Sequence, residues 1–348
     1  MTSTISDISS FDQDLADSVR SDRLQLILLP TEQCNFRCTY CYEDFAIGQM
    51  APEVVSGVKN LIDRRAAGLR RLQLSWFGGE PLLARSIIED VTSHALRAQE
   101  RHDGLVYESD MTTNGYMLDG EMAEHMADLG VRTHQISLDG PDDHHDRTRV
   151  RADGRGTFQK IWRNLISIRE SSAAVRILLR VHLTPENMPV MPEFLTCIRD
   201  TLLDDPRFSV FLKRVVRLGG PNDATMNVLD ADDCKIADLE RLLVQGGDSE
   251  RIFTPDEICY AARANSLLVR ADGRLGKCTV ALSDDANTIG RLLPDGSLDV
   301  DNRQLQPWLL GWESRDPEVN ACPYLTFTRD PRPLLQIGKR PVTTATYG

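Results

Sequence analysis

Apolar runs of strand length alternate with segments of helical spacing between residue 23 and about residue 245. The strand-like runs are 24–30, 72–79, 105–115, 132–140, 175–183 and 208–220. The segments that repeat apolar residues every three or four positions are 52–66, 86–100, 119–129, 156–170, 189–203 and 230–245. This alternation predicts an α/β fold in which right-handed crossovers join parallel strands into a barrel or partial barrel.

The pattern changes after about residue 250. Two hairpins are predicted, one turning at Asp272-Gly273 and the other at Asp295-Gly296, followed by a short helix over 302–312 that Pro307 interrupts. We therefore predict a flexible lead-in over 1–22 and a partial (β/α)6 barrel over 23–248. A small domain of β-hairpins and a helix follows over 249–328, and 329–348 forms a loosely ordered tail.

Composition narrows the class of protein. Of the 348 residues, 41% are hydrophobic and 26% are charged, as is typical of a globular protein. No apolar run reaches membrane-spanning length, and the N-terminus lacks the pattern of a secretion signal. We therefore expect a cytoplasmic protein with no membrane partner, whose eight cysteines are metal ligands or free thiols rather than disulfides. The net charge of −12 disfavours a nucleic-acid partner.

Polar and glycine-rich motifs follow the first four predicted strands. They are the cysteine loop "EQCNFRCTYCYEDF" (32–45), Gly-Gly-Glu (78–80), Thr-Asn-Gly (113–115) and Ser-Leu-Asp-Gly (137–140). Barrels place their chemistry on the loops that follow the carboxyl ends of the strands. The sequence therefore predicts one active rim that carries all four motifs.

Cys34, Cys38 and Cys41 provide three thiols in the cysteine loop. Thiolates are soft ligands that bind zinc, copper(I) or iron–sulfur clusters. A structural zinc site needs a fourth ligand, which a distant Cys or His could supply. A [4Fe–4S] cluster held by three thiolates leaves one iron open to a small chelating molecule. The spacing favours the cluster over zinc, and zinc over unliganded thiols.

The loop Cys34-x3-Cys38-x2-Cys41, with Tyr40 before the last cysteine, resembles the radical S-adenosylmethionine (SAM) superfamily. "WFGGEP" (76–81), "TTNG" (112–115) and "SLDGPDDHHDRTR" (137–149) are similar to further motifs of that superfamily, and the resemblance covers about residues 23–245. It implies an enzyme in which SAM chelates the open iron of a [4Fe–4S] cluster. Cleavage of SAM by one electron then gives a 5′-deoxyadenosyl radical that abstracts hydrogen from the substrate.

The resemblance also implies a role for individual residues. Cofactor-binding roles fall to eight of them: Tyr40 and Leu183 at the adenine, Gly78 and Gly79 where the backbone approaches the methionine moiety, Glu80 at the SAM ammonium group, Asn114 and Ser137 near the ribose and methionyl ends, and Arg149 at the SAM carboxylate. Asp139 lies on the predicted rim and is a candidate for contact with the substrate. Each motif alone also fits a simpler interpretation, such as a tight Gly-Gly or Asp-Gly turn or an arginine in a solvated loop.

Cys259, Cys278 and Cys322 form a second set of three thiols. The spacing Cys259-x13-Gly273-x4-Cys278 is similar to the opening of the SPASM or twitch domains that follow radical SAM barrels. It implies one auxiliary [4Fe–4S] cluster with a fourth ligand missing. That position could stay open, or could be filled by Cys234, by Tyr324 or by an Asp within 283–285. The alternative is that no cluster forms and the three thiols are packed.

The motifs most resemble radical SAM maturases of ribosomally made peptides. We expect the substrate to be a precursor peptide in which the enzyme forms an intramolecular cross-link, a cyclophane or a thioether. An auxiliary cluster would remove the second electron, and a flavodoxin or ferredoxin would donate the first.

Three alternatives remain. A sulfatase-maturing enzyme would carry more cysteines in the second domain and an acidic residue where Thr279 stands. A twitch-type dehydrogenase of small molecules would need a base over the substrate carbon, and no residue can be assigned to that role. A non-enzymatic zinc or iron–sulfur protein would bind metal but would not cleave SAM.

Overall fold

Six parallel strands follow one another in chain order along a single sheet, as the alternating pattern predicts. The structure is a computed structural model that describes residues 10–230, 235–243 and 258–329. Its strands are β1 Arg23–Leu28, β2 Phe36–Cys38, β3 Arg71–Trp76, β4 Val106–Thr113, β5 Val131–Leu138, β6 Arg149–Arg151, β7 Arg176–Leu183, β8 Phe208–Arg214, β9 Ser266–Val269, β10 Arg274–Gly276, β11 Gly290–Leu292 and β12 Leu298–Val300. The parallel set runs β1-β3-β4-β5-β7-β8, and β2 pairs with β6 in a separate antiparallel ladder.

Helices follow the strands and cover the sheet. They are α1 Ser10–Asp17, α2 Pro52–Ala66, α3 Arg85–Arg101, α4 Gly120–Asp128, α5 Asp142–Thr148, α6 Phe158–Glu170, α7 Met191–Leu202, α8 Lys235–Leu243, α9 Asn302–Leu305, α10 Leu310–Ser314, α11 Pro317–Ala321 and α12 Pro323–Arg329. The apolar spacing that predicts α2 is the spacing of its buried side chains, which include Val55, Val58, Leu61 and Ile62. Within the described ranges, no helix combines the length and apolar character needed to cross a membrane.

The strands after residue 258 continue the main sheet. β9 pairs in parallel with β1, on the side of β1 opposite to β3, with Leu26 beside Leu267. The two predicted hairpins are confirmed: β9 pairs antiparallel with β10, and β11 with β12. The chain after residue 258 therefore extends the edge of the barrel sheet beside the first strand.

Two boundaries differ from the sequence prediction. The lead-in is not flexible over its whole length, because α1 packs Leu15 against Ile258 and Ala262. The Asn265 side chain also donates to the carbonyl oxygen of Asp17 at 2.8 Å. The last strand, predicted to reach residue 220, ends at Arg214. Residues 1–9, Cys234 and the tail from 330 to 348 lie outside the described residues.

His134 is a buried histidine in β5 whose protonation should oppose folding. Its side chain is fully buried. Burial lowers the pKa of His134 to about 4, and neither ring nitrogen has a hydrogen-bond partner among the described residues. An unfolded chain protonates its histidines near pH 6.5. The unfolded state therefore binds more protons between these two values, and the free energy of unfolding falls as the pH drops through this window.

We expect His134→Leu to weaken this pH dependence. The drop in unfolding free energy between pH 7 and pH 5 should shrink by about 2 kcal/mol relative to the wild type. Urea unfolding of the reduced, metal-free protein at pH 7 and at pH 5 measures this drop in unfolding free energy. His102→Leu, at a half-buried histidine that follows α3, serves as the control. An equal drop in wild type and His134→Leu would show that His134 is not the responsible group.

Candidate active site

The cysteine loop leaves the carboxyl end of β1 and folds back on itself. Cys38 ends the short strand β2 and is paired with Arg149 of β6. The Cys41 backbone N–H donates to the Cys38 carbonyl at 3.1 Å, and the Phe36 N–H donates to the Cys34 sulfur at 3.3 Å. Backbone hydrogen bonds thus fix the loop that carries the three thiols before any ligand binds.

The three thiols of this loop lie close enough to influence one another. Burial raises the pKa of Cys34 to about 12, and the charges of Glu80, Cys38 and Cys41 add to this effect. Burial likewise raises the pKa of Cys41 to about 11. Burial raises the pKa of Cys38 too, although Arg149 opposes it. A thiolate form of this set needs added positive charge, which iron supplies to its cysteine ligands.

Gly78 and Gly79 bring the second motif against the cysteine loop. A Cβ on Gly79 would lie 2.4 Å from the Gln33 carbonyl oxygen and 2.9 Å from the Cys34 nitrogen. Gly78 has a φ of +111°, and a Cβ there would lie 2.3 Å from the Thr31 carbonyl oxygen. Only glycine fits such an approach. The structure therefore shows these glycines packed on the backbone of 31–34, and their contact with the methionine moiety stays a prediction.

Glu80 is fully buried and is held by three donors from this chain. Its carboxylate accepts from the Thr113 hydroxyl at 2.8 Å, the Asn114 N–H at 2.7 Å and the Leu82 N–H at 3.1 Å. Burial raises the pKa of Glu80, and these hydrogen bonds oppose the rise. A cation beside Glu80 would stabilise its charged form, which agrees with the predicted ammonium contact but does not test it.

Asn114 connects the third motif to the cysteine loop. Its side-chain N–H donates to the Asn35 side chain at 2.7 Å, and its side-chain oxygen accepts from the Tyr116 N–H at 3.0 Å. Asn114 and Glu80 thus lie together on the rim beside Cys34. The structure brings the first three motifs together, as the rim prediction requires.

Asp139 is the centre of a buried polar network at the ends of β5 and β7. One carboxylate oxygen accepts from the Tyr40 hydroxyl at 3.0 Å and lies 2.9 Å from Nδ1 of His182, while the other accepts from the Thr148 hydroxyl at 2.6 Å. Burial acts to raise the pKa of Asp139, but the hydrogen bond from His182 and the charge of Arg149 hold it well below its usual range. Asp139 is therefore an ionised acceptor that organises this corner.

Arg149 is buried and completes the network with its guanidinium. Its Nη1 donates to the Tyr40 hydroxyl oxygen at 2.8 Å, and the group lies over the Phe36 ring at 5.8 Å. Its Nε is shielded from solvent and has no hydrogen-bond partner. A buried donor left unpaired is costly, so this nitrogen is open to a bound acceptor such as a carboxylate. The predicted pairing with SAM stays a prediction.

Other site residues lie deeper. Leu183 ends β7 and is fully buried in the main core, and Ser137 of β5 is nearly buried beside Arg180. Tyr40, predicted at the adenine, uses its hydroxyl for Asp139, His182 and Arg149. Sequence reasoning missed His182. The only signal for it is a polar residue next to the end of the apolar run "VRILLRVHL".

We expect Tyr40→Phe to destabilise the protein by about 2 kcal/mol. The buried carboxylate of Asp139 and the buried guanidinium of Arg149 would each lose the hydrogen bond that they form with the Tyr40 hydroxyl. Thermal or urea unfolding of the metal-free protein measures this. Tyr116→Phe is the matched control, since the Tyr116 hydroxyl accepts at 3.0 Å from the partly exposed Arg151. A smaller loss in Tyr40→Phe than in Tyr116→Phe would contradict the role of the network.

The second set of cysteines also converges. Burial raises the pKa of Cys259 to about 11, and the charges of Cys278 and Cys322 reinforce the effect. The Val280 N–H donates to the Cys278 sulfur at 3.4 Å. Tyr324 donates to Asp284 at 2.7 Å, and the charges of Cys278 and Cys322 act on it. Two of the suggested fourth ligands therefore stand beside this set, whereas Cys234 lies outside the described residues.

A buried ion pair connects the two cysteine sets. Arg270, after β9, donates to both carboxylate oxygens of Glu32 at 3.1 and 2.5 Å, and its third nitrogen donates to the Leu282 carbonyl at 2.6 Å. Glu32 lies two residues before Cys34, and Leu282 lies four residues after Cys278. Charged pairs of this geometry are directional. The pair therefore fixes the second domain relative to the cysteine loop.

A cavity of about 680 Å³ lies between the two sets. Three segments and one side chain form its walls: 42–44 after Cys41, 218–221 after β8, residues 280, 281 and 283–285 after Cys278, and Tyr324. Its size is that of a pocket for a small molecule or a few side chains. A substrate bound there would lie near both sets of thiols.

Fold and site together define an α/β protein of the radical SAM fold. Residues 28–195 match the family described as the Radical SAM superfamily. These residues form a radical SAM domain. The family uses a [4Fe–4S] cluster and SAM, and the three neighbouring thiols of Cys34, Cys38 and Cys41 suit that cluster, whose irons are held by separate sulfurs. In the described ranges, no three His, Cys, Asp or Glu side chains converge on a site for a single metal ion.

Curated relatives match part of the chain. The chain is 36% identical over 152 residues to a GTP 3′,8-cyclase of Microcystis aeruginosa, which covers 40% of this chain and 41% of that protein. A GTP 3′,8-cyclase of Paracoccus denitrificans is 37% identical over 119 residues, with 32% of each chain covered. The chain thus spans about two fifths or less of the length of these relatives.

Solved structures share the fold more completely. The structure of anSMEcpe with bound AdoMet and a Cp18Cys peptide has a TM-score of 0.61 at 18% identity, covering 81% of this chain and 80% of that chain. Streptococcus suis SuiB bound to its precursor peptide SuiA has a TM-score of 0.53 at 15% identity, covering 86% of this chain and 67% of that chain. At such identities the likeness concerns the fold, which in both extends beyond the barrel domain.

Proposed function

We propose that this radical SAM enzyme modifies a peptide and joins two of its side chains in an intramolecular cross-link. The observation that supports the proposal most is the cavity between two sets of three cysteines. A single cluster suffices to start a radical reaction, whereas a second set near the same cavity suits a reaction that ends with removal of an electron. The shared fold with two proteins solved with bound peptides also favours a peptide substrate.

The proposed reaction removes two hydrogens from the peptide. When bound, the cluster of Cys34, Cys38 and Cys41 with SAM supplies a 5′-deoxyadenosyl radical, and an auxiliary [4Fe–4S] cluster at Cys259, Cys278 and Cys322 supplies an acceptor for one electron. One hydrogen leaves the peptide as an atom, which gives 5′-deoxyadenosine. As the new bond forms between the side chains, the second hydrogen is lost in two parts. Its proton goes to solvent, and its electron goes to the acceptor.

The residues of this chain hold and enclose the reactants. Glu80 carries a carboxylate, which suits the ammonium end of a bound amino-acid moiety. Arg149 carries a guanidinium whose Nε has no hydrogen-bond partner, which suits the carboxylate end. The Asp139 network fixes Arg149 through Tyr40. The segments 42–44, 280–281 and 283–285 line the proposed substrate cavity.

A second candidate substrate is a purine nucleotide, because the curated sequence relatives are GTP 3′,8-cyclases. The cavity does not favour it. Four of the side chains that line it are acidic and none is basic, so a triphosphate would be repelled. These matches cover 40% and 32% of this chain.

Co-expression with a candidate precursor peptide tests the proposal. Mass spectrometry should show a peptide that has lost two hydrogen atoms, and Cys34→Ala co-expressed in the same way should leave it unchanged. A peptide of unchanged mass with altered stereochemistry would contradict the cross-link. Consumption of GTP by an enzyme that leaves the peptide intact would support the nucleotide instead.

A further inference from the structure

The cavity between the two cysteine sets is acidic on more than one wall. Glu43 and Asp44 line it from the cysteine loop, and Asp284 and Asp285 line it from the segment after Cys278. The other lining residues are uncharged. Carboxylates from two distant segments of the chain therefore line one cavity.

One oxygen of the Glu43 carboxylate has no hydrogen-bond partner. Oε2 of Glu43 is shielded from solvent and has no hydrogen bond. By contrast, Asp284 accepts from the Tyr324 hydroxyl at 2.7 Å and the Ala286 N–H at 2.9 Å, and Asp44 accepts from the Ala46 N–H at 2.9 Å. A shielded carboxylate oxygen without a donor is costly in the free protein. The unpaired oxygen of Glu43 therefore indicates a ligand that supplies a hydrogen-bond donor.

Three arginines of this chain bind groups that do not line the cavity. Arg270 is paired with Glu32. Arg214 donates to the Asp230 carbonyl at 2.6 Å, and Arg217 donates to backbone carbonyls of its own loop, including that of Met226 at 2.9 Å. Among the residues that the structure describes, no basic side chain forms an ion pair with any of the four acids. Arg270 acts on Glu43 and Asp44 but is paired with Glu32, so its charge offsets that of the four acids only in part.

We propose that this cavity binds the side chain of a Lys or Arg in the peptide substrate. Clefts lined by charge of one sign concentrate ligands of the opposite sign, and an ammonium or guanidinium group brings several donors for the Glu43 and Asp285 carboxylates. The inference rests on the proposed function and adds the substrate class: a peptide with a basic residue close to the site of cross-linking. The cavity would hold that residue beside both cysteine sets.

Binding of two small probes to the reconstituted enzyme with SAM tests this inference. N-acetyl-arginine amide carries the guanidinium, and N-acetyl-citrulline amide has nearly the same shape without the charge. Ligand-observed NMR should show the arginine probe binding about tenfold more tightly than the citrulline probe. This selectivity should fall in the double variant Asp284→Asn/Asp285→Asn and, separately, in Glu43→Gln. Asp299→Asn, at an exposed acid on β12 that does not line the cavity, should retain it.

Several results would overturn the inference. Equal binding of the two probes, no binding of the arginine probe, or selectivity that survives both the double variant and Glu43→Gln would each do so. So would Mg²⁺ alone occupying the site so firmly that the arginine probe cannot compete. The cross-linking assay keeps the two proposals separate: selective binding without peptide modification contradicts only the proposed function. Peptide modification that is indifferent to Lys and Arg contradicts only this inference.

Discussion

Replacing Cys34 by alanine is expected to abolish 5′-deoxyadenosine formation. In a [4Fe–4S] cluster bound at this loop, each of the three thiols would hold a different iron, so none of the three would be redundant. The anaerobically reconstituted variant should contain about four fewer irons than the wild type. Iron analysis and chromatography of the products with SAM and dithionite measure both effects.

Cys197→Ala is the matched control for this prediction. Cys197 is an exposed free thiol on α7, and its sulfur lies 3.9 Å from the Thr201 hydroxyl. Its removal should leave iron content and product formation unchanged. If Cys34→Ala kept the full iron content and the full rate, the cluster could not be bound at Cys34, Cys38 and Cys41.

Gly79→Ala is expected to disrupt the same site without touching a sulfur. The added Cβ would lie 2.4 Å from the Gln33 carbonyl oxygen, which is well inside van der Waals contact. The obstructing atoms belong to the backbone and cannot rotate away as a side chain could. The cysteine loop must therefore move away from the second motif. We expect a loss of about 2 kcal/mol in unfolding free energy and at least a tenfold loss in the rate of SAM cleavage.

Gly48→Ala separates this effect from the general cost of replacing a loop glycine. A Cβ at Gly48 meets no atom within 4 Å. Stability, iron content and rate should therefore match the wild type. Wild-type activity in Gly79→Ala would mean that the two motifs do not meet as the structure shows.

Local periodicity was sufficient to predict most of the fold. The spacing of Val55, Val58 and Leu61 identifies α2 because a helix must bury one stripe, and Asp-Gly pairs identify both hairpins because those turns need a positive φ. The pairing of β9 with β1 could not be predicted, since it joins segments about 240 residues apart. The short polar helix α1 was missed because it buries little, and Ile258 and Ala262 supply its contacts.

The candidate site, like the fold, could be predicted from the sequence only in part. Motifs predicted the cysteines, Glu80, Asn114 and Asp139, because each follows a strand at the same edge of the sheet. They could not predict that Tyr40 bonds to Asp139, nor that His182 joins this network, since these contacts depend on how three strand ends meet. They also gave no sign of the acidic cavity, whose walls come from segments that only the folded chain brings together.

Transfer of deuterium tests the central claim most directly. The reconstituted enzyme, with SAM, dithionite and a candidate precursor peptide carrying deuterium on its carbon atoms, should produce 5′-deoxyadenosine that contains one deuterium and a peptide that has lost two hydrogens in total. Mass spectrometry detects both products. 5′-Deoxyadenosine free of deuterium, formed at the same rate with or without the peptide, would contradict the claim that this enzyme abstracts hydrogen from a peptide.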